Sequence, residues 1–473
     1  MKQDELIKND PKAKEISLGL AIVPMLIMTT LVSVMHLWLE VDLKFVLLLS
    51  TIGVGVTAYF LNYKLKSLFD DFADNIRKAF PVILILISIG GIVGSWMYSG
   101  TVPYLIYLGL QAIDSSFVLV TAFIVTALVS VFTGTSYGSA ATSGVAFMGI
   151  GYSFGIPLEM VAGAVISGAV LGDKVSPVSD TTNISALASE ITVYEHIRGM
   201  LPNVLLSAIV AISGFLILGM TITPLEGINP EVNKILSQLE SIYSFNLFLL
   251  LPALVVLVGG FKGYNPVLVM IASSLTALMV GMISHGFPIV DGATSMISGF
   301  STDMLDGTVS YSKTLVTLLN RGGFDGMMAG AVQYTVLAIG FGSFMQTIGA
   351  FDRIMKSLLK KVKSTYGFIV TTFFAGAILN GVSGSGSFSI LTIGQLFSKS
   401  FTERKIPRTV LSRSMENSMT LLESLLPWHV TGVYMTYTLG ISTLDYAPFA
   451  LFNISGILLF FALTKLDISR KKY

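Results

Sequence analysis

The sequence contains no cysteine, which excludes disulfides, thiolate metal centres, iron–sulfur clusters and cysteine nucleophiles. It has four histidines, so a zinc site is not expected; His36 and His285 fall near the ends of apolar segments, where an interfacial role suits them. Charge is scarce: Asp, Glu, Lys and Arg make up 12% of 473 residues, about half the usual share. These charges nearly cancel, to +1, which argues against nucleic acid as a partner. Hydrophobic residues are abundant instead, at 53%, and 45 glycines accompany them; soluble domains hold roughly 45–50% with glycine included. With a mean hydropathy of +0.77, most of the chain is expected to have the lipid bilayer as its solvent. At roughly 20 residues per span there is room for about ten helical membrane elements.

The first sixteen residues are polar and carry Lys2, Lys8, Lys12 and Lys14. No small-residue cleavage site follows the first apolar run, so that run is expected to be a retained span. Apolar segments lie near 17–39, 43–61, 81–99, 116–133, 138–151, 158–171, 181–189 and 201–223. A second series lies near 246–259, 264–284, 327–348, 364–382, 387–398, 408–422, 428–441 and 446–464. Segment starts at 81, 116, 158 and 201 recur at 327, 364, 408 and 446, offsets of 245 to 250 residues. GTSYGS at 134–139 has a counterpart in VSGSGS at 382–387, and Pro177 precedes Pro427 by 250 residues. This regularity predicts an internal repeat.

The Lys/Arg distribution orients the segments. Lys64, Lys66, Arg77 and Lys78 mark one cytoplasmic connection. Arg353, Lys356, Lys360, Lys361 and Lys363 mark another, Lys399, Arg404, Lys405 and Arg408 a third, and Arg470, Lys471 and Lys472 the C-terminal tail. The connections 100–115 and 152–157 hold neither Lys nor Arg and are expected outside. Segments 116–151 and 364–398 therefore read as re-entrant hairpins entering from opposite faces, with glycine–serine tips at mid-membrane. The predicted fold is an all-α polytopic membrane protein: an inverted-topology repeat with two re-entrant hairpins and two broken helices. Its divisions are a cytoplasmic tail 1–16, a first repeat 17–223, an extracellular connector 224–245, a second repeat 246–464 and a cytoplasmic tail 465–473. Ahead of the first core, Leu68, Phe69, Phe72, Ile76 and Phe80 share one face of 67–80 opposite Asp70, Asp71, Asp74, Arg77 and Lys78, which predicts an interfacial helix. A weaker counterpart falls near 303–320.

The segment with the densest chemistry is GAVLGDKVSPVSDTTNISA at 168–186, where Asp173, Lys174 and Asp180 interrupt an apolar run beside Ser176, Ser179, Thr181 and Thr182. An ionised Asp at bilayer centre costs about 2.5–3.5 kcal/mol on insertion scales, so such residues are expected to line a polar cavity or pair. For Lys174, a wet interfacial loop is an equal alternative. Hydroxyls, carboxylates and the carbonyls that Pro177 frees suit a hard cation, and Na+ is expected at Asp180 and Asp173. The tip GTSYGSAATSG at 134–144 adds Thr135 and Ser136 as ligand candidates, although small-residue helix packing explains its glycines equally well. In the second half, Ser383, Ser385 and Ser387 lie at the matching tip, and SRSMENSMTLLESLLPWH at 412–429 supplies Glu416, Asn417, Thr420, Glu423 and His429 around a break at Pro427. Arg413 reads as an anchor near the cytoplasmic boundary.

Taken together, GTSYGSAATSG, GDKVSPVSDTTN and SRSMEN…LLPWH resemble the NhaC-type sodium/proton antiporter family, which includes a sodium-linked malate/lactate antiporter. The resemblance implies an inverted-repeat ion-transporter fold, ion exchange at a bacterial plasma membrane, and a homodimer working by an elevator-like movement. Similar sequences commonly have Trp at Tyr137, Thr at Ser139 and an acidic residue at Asn417, and a small uncharged residue where Glu423 stands. Asn417 cannot titrate, so no proton role is carried over to it.

The mechanism expected is exchange of Na+ for H+ by alternating access, with no cofactor and no enzymatic step. Na+ and a proton compete for the same carboxylates, and two close carboxylates titrate together, which allows more than one proton per sodium. One net charge moved through 100 mV is worth about 2.3 kcal/mol, against roughly 1.4 kcal/mol for a tenfold gradient, so a proton surplus can expel sodium. The alternative is sodium- and proton-coupled exchange of a small organic anion, held by half-helix N-termini and oriented by Asn417, Thr420 and His429. An intramembrane aspartyl enzyme is a third reading, but no nucleophile–base pair accompanies the acids.

Overall fold

A computed structural model of the chain describes residues 16–221, 230–305, 311–360, 362 and 364–469. Lys2, Lys8, Lys12 and Lys14, the connector residues 224–229, Lys361 and Lys363, and Arg470, Lys471 and Lys472 lie outside the described residues. Regular structure among the described residues is helical throughout. Nine of these helices are long and apolar enough to cross a membrane, or ten spans if the pair Asn233–Ile242 and Leu247–Phe261, bent by 92°, counts as one. Helices suit that solvent because each satisfies its own backbone hydrogen bonds.

The helices that position the site begin with α1 (Leu18–Leu31), α2 (Leu43–Phe60) and α3 (Leu65–Tyr98). A first hairpin follows, made of α4 (Val118–Thr133) and α5, which runs from Ser136–Ser139 through a π-helical turn, Ala140–Gly144, into Val145–Ser153. A broken helix comes next, α6 (Leu158–Val175) and α7 (Asp180–Ala188), then the long α8 (Val193–Thr221). The second half repeats the order with α9 (Phe324–Thr347), hairpin arms α10 (Thr365–Ser383) and α11 (Gly386–Glu403), broken halves α12 (Arg408–Met419) and α13 (Val430–Leu439), and α14 (Leu451–Ser469).

Each hairpin turns at a glycine in the left-handed region, Gly134 at φ +67° and Gly384 at φ +65°, a conformation that costs other residues dearly. Thr135 and Ser385 then cap the returning arms, accepting from the N–H groups of Gly138 (3.5 Å) and Phe388 (3.4 Å). The arms lie antiparallel. Ser143 donates to the Thr126 hydroxyl across the first hairpin at 3.3 Å, and the Phe368 ring meets Phe401 and Phe397 across the second at 5.1 and 5.9 Å.

The expected interfacial helix over 67–80 is not separate: α3 runs unbroken for 34 residues through Pro81. At 1.5 Å per residue it is about 51 Å long, well beyond a hydrocarbon core of about 30 Å. Protein packs on part of its leading face, with Phe69 and Phe80 still more than half exposed. Phe69 and Phe72 stack edgewise on Phe344 of α9, Asn75 donates to Ser343 and Gln346 at 3.0 and 3.1 Å, and Asp71 accepts from Thr347 at 2.8 Å. Within the proposed counterpart near 303–320, Lys313–Leu319 is a short helix that buries Leu315, Leu318 and Leu319; residues 306–310 lie outside the described residues. A helix over Thr101–Ala112 stands where the sequence read only a connection.

Small residues let the first broken helix press against the first hairpin. A Cβ on Gly168 would lie 2.3 Å from the Phe123 carbonyl oxygen, and one on Gly172 would lie 2.3 Å from that of Ala127. Backbone cannot yield as a side-chain tip can, so Gly172→Val forces α4 and α6 apart. Overpacking typically costs about 1–3 kcal/mol, and the expected result is a lowered unfolding midpoint in detergent. A variant that melts with the wild type would show that this contact relaxes freely.

Candidate functional site

The site is built where the two broken helices pass each other. At the first break the chain leaves helical geometry at Ser176, whose ψ is 124°, passes Pro177 and re-enters at α7 behind Ser179. Helix ends expose unpaired carbonyls, and here side chains satisfy them. Thr182 donates to the Asp173 carbonyl at 3.2 Å, and Asn183 donates to those of Pro177 and Ser179 at 3.0 and 2.7 Å. Two more bonds tie the region to the hairpin: Ser176 donates to the Val131 carbonyl (2.7 Å) and Ser130 to that of Ala169 (2.6 Å). The Asp173 carboxylate is held at both oxygens, by the Ser179 hydroxyl at 2.5 Å and by the backbone N–H of Ser136 at 3.2 Å. Ser136 opens α5, so the carboxylate faces the positive end of that helix. Ser179 and Thr181 share a further bond of 3.1 Å.

At the second break α12 ends at Met419, a short 3-10 turn spans Glu423–Leu425, and His429 caps α13. The Thr431 backbone N–H can only donate, so His429 Nδ1 accepts from it (3.1 Å) and Nε2 carries the proton given to Asn380 Oδ1 (3.1 Å). This assigns a neutral imidazole, locked to the second hairpin. Asn380 also donates to the Met419 carbonyl at 3.3 Å, and Trp428 Nε1 donates to that of Gly381 at 2.8 Å.

Between the breaks lies Lys174, 0% exposed. Its ammonium donates to the Thr420 hydroxyl at 2.7 Å and to the Glu416 carbonyl at 3.3 Å, joining α6 to the end of α12. Glu416, also fully buried, accepts from Ser185 of α7 at 2.5 Å through Oε2, while its Oε1 has no hydrogen-bond partner among the described residues. His196 and Ser412 are bonded to each other one turn away. Tyr137 of the first hairpin pairs with Thr431 at 2.9 Å, and Tyr434 donates to the Tyr137 carbonyl at 2.5 Å. Asp173, Glu416 and Glu423 all act electrostatically on one another or on Lys174. Three carboxylates and one ammonium thus lie within electrostatic reach of one another, Lys174, Glu416 and Glu423 enclosed and Asp173 half-buried.

The residues singled out in the sequence divide in their placement. Asp173, Ser136, Ser179, Thr181 and Thr182 converge at the first break, and Glu416, Thr420, Glu423 and His429 gather at the second. Asp180 does not join them: it is the exposed first residue of α7. Ser176, Thr135 and Ser385 make backbone bonds, and Ser383 pairs with Ser389 at 3.0 Å. Ser387 is half-buried in the first turn of α11. Asn417 is fully buried with neither amide atom hydrogen-bonded among the described residues. Arg413 faces Asp467 of α14 at 3.3 Å. The loop alternative for Lys174 is replaced by full burial. Ser185, Asn380, Thr431 and Tyr434 were not anticipated; a lone Asn in the apolar run 365–383 was the one available signal. Among the described residues no group of three or more His, Asp or Glu side chains could hold a metal ion, so a bound cation would rely on hydroxyl and carbonyl oxygens beside a carboxylate.

Fold and site together define a polytopic helical membrane protein whose interrupted helices bring ionisable groups into its interior, an arrangement used by secondary transporters. The chain matches the Na+/H+ antiporter family over residues 11–220 and 168–465, and it belongs to that family. It is 37% identical over 436 residues to an uncharacterised Na+/H+ antiporter of Haemophilus influenzae, covering 92% of this chain and 93% of the relative. It is 31% identical over 417 residues to the Na+/H+ antiporter NhaC of Bacillus subtilis, covering 88% and 90%. It is 32% identical over 421 residues to a malate-2H+/Na+-lactate antiporter of the same organism, covering 87% and 86%.

Proposed function

We propose that the chain exchanges Na+ for H+ across a bacterial plasma membrane by alternating access. The observation that carries this reading is the charge balance at the crossing of the breaks. Asp173, Glu416 and Glu423 against Lys174 leave a net charge of −2 when all are ionised, which buried surroundings tolerate only if mobile cations offset it. Asp173, with Ser179, Thr181 and nearby carbonyls, is the primary cation site. A proton on that carboxylate removes the charge that Na+ requires, so each ligand displaces the other. Asp180, exposed beside the break, receives cations at the mouth of the site.

An organic anion is less well served by the same arrangement. Of its expected partners, Thr420 and His429 are already bonded to Lys174 and to Asn380, Asn417 alone keeps both amide atoms without a hydrogen-bond partner among the described residues, and the Lys174 ammonium is engaged at Thr420 and Glu416. The similarity to a malate/lactate exchanger keeps this reading as the comparison to be tested.

The repeated succession of hairpin, broken helix and long helix supports two inverted halves, 17–223 and 246–464, with the hairpins entering from opposite faces. α8 and α14, their closing helices, pack together through Asn203 on the Gly456 carbonyl (3.1 Å). The Lys/Arg bias supports cytoplasmic ends for both tails. Rigid movement of the hairpins and broken helices against the remaining helices, in a homodimer, is the elevator form of this mechanism.

The test is flux in proteoliposomes. A sodium pulse is expected to drive proton movement with no organic solute present. Strict dependence of that movement on malate or lactate would replace the cation reading with the anion one.

A further inference from the structure

The break regions of the two halves coincide at several marker positions at a spacing of 250. Gly134 and Gly384 make the same left-handed turn. Thr135 and Ser385 cap the arms that follow, and Pro177 and Pro427 occupy the breaks. Thr181 and Thr431 hold the second position of the second half-helices. In this register Asp173 falls on Glu423, and Ser136 on Gly386.

The contacts repeat as well as the residues. Asp173 accepts from the backbone N–H of Ser136, the first residue of α5. A Cβ on Gly386, the first residue of α11, would lie 3.0 Å from Glu423 Oε2, so Glu423 is directed at the same point of its own hairpin. Ser179 donates to Asp173 and is itself bonded to Thr181; Thr431, whose hydroxyl pairs with Tyr137, also acts on Glu423.

Glu423 is 8% exposed. Among the described residues the cation acting on it is Lys174, whose ammonium is bonded elsewhere, and the other charged groups acting on it, Asp173 and Glu416, are both acidic. A second sign of missing positive charge is Glu416 Oε1, fully buried and without a hydrogen-bond partner among the described residues.

We propose that Glu423 forms a second monovalent-cation site, equivalent to Asp173 in the other half, so that the protein loads one cation at each hairpin. This rests on the Na+/H+ reading and deepens it. Ordinary polar packing does not account for a carboxylate placed twice, in the same register, against the same hairpin position.

Two measurements test it. Reversal potentials of reconstituted protein under varied Na+ and pH gradients give the charge moved per turnover, which E423Q changes by one if Glu423 carries only a proton and leaves unchanged if Glu423 exchanges Na+ for H+ as Asp173 does. Equilibrium binding of radioactive Na+ to purified protein identifies the occupant. Two ions in the wild type and one each in D173N and E423Q assign Na+ to both carboxylates. One ion in the wild type and in E423Q, with the altered charge ratio, assigns a proton to Glu423. An E423Q protein with wild-type charge ratio and wild-type binding overturns the proposal. If E423Q does not fold, the wild type decides alone: one Na+ bound at equilibrium together with electroneutral exchange of one Na+ for one H+ overturns it. Absence of any sodium-dependent proton flux in the wild type would instead sink the exchange reading on which the proposal stands.

Discussion

Asp173→Asn is expected to abolish sodium-coupled proton exchange, whereas Asp180→Asn is expected to keep it. The two aspartates lie in one motif seven residues apart, and composition alone does not separate them. The structure does. Asp173 accepts two hydrogen bonds, from Ser179 and from the N–H of Ser136, at the crossing of the broken helices, and Asp180 is exposed. Asn keeps an oxygen acceptor for these donors but removes the negative charge that attracts the ion, so cation binding is weakened while the local fold is kept. The amide also offers no exchangeable proton in place of the carboxyl, which takes the coupled flux to background. An exposed charge contributes about 0–1 kcal/mol, so Asp180→Asn raises the half-saturating Na+ concentration by about fivefold at most. Sodium-driven fluorescence quenching in proteoliposomes reads both quantities. An active Asp173→Asn beside an inactive Asp180→Asn would move the ion to the exposed carboxylate.

The contrast also marks what was legible in the sequence. Hydropathy located nearly every long helix because a bilayer demands continuous apolar runs, and a helix that meets that demand is visible in one stretch of chain. The glycine turns at 134 and 384 and the breaks at Pro177 and Pro427 were legible for a similar reason: each is a local departure from helical geometry with its own residue type. Continuity of α3 through Pro81 was not, because part of its leading face is covered by Phe344 and Ser343 of α9, more than 260 residues away. The same distance hid the role of Lys174. Its partners Glu416 and Thr420 are 242 and 246 residues downstream, and only the crossing of two broken helices turns a plausible loop lysine into the central cation. His196 and Ser412, 216 residues apart, carry no local signal. The register of Asp173 with Glu423 lay within the same 250-residue spacing as the prolines, but it acquires meaning only once both carboxylates are seen at their hairpin tips.

Lys174→Met is expected to be the most damaging change to the fold. The methionine fills similar space, so packing is nearly conserved and the effect is electrostatic. Without the ammonium, Asp173, Glu416 and Glu423 have no fixed counter-charge, and the link from α6 to Thr420 and the Glu416 carbonyl is lost. The ammonium touches a hydroxyl and a backbone carbonyl rather than a carboxylate, but its removal leaves the buried carboxylates without a nearby compensating charge, and an uncompensated buried charge costs about 3–5 kcal/mol, a large share of the roughly 5–15 kcal/mol by which native proteins are stable. The expected signature is a fall in unfolding midpoint in detergent that high Na+ partly reverses, because an ion that binds only the folded state stabilises it by mass action. Wild-type protein, with its own cation in place, should show a smaller sodium response. Arginine is not an equivalent replacement, since its wide planar head must enter a fully enclosed position built for a compact ammonium. A Lys174→Met protein as stable as the wild type, with the same sodium response, would mean that protons alone neutralise the buried carboxylates. In that event Lys174 would act as a packing element, and the charge balance behind the exchange reading would have to be counted without it.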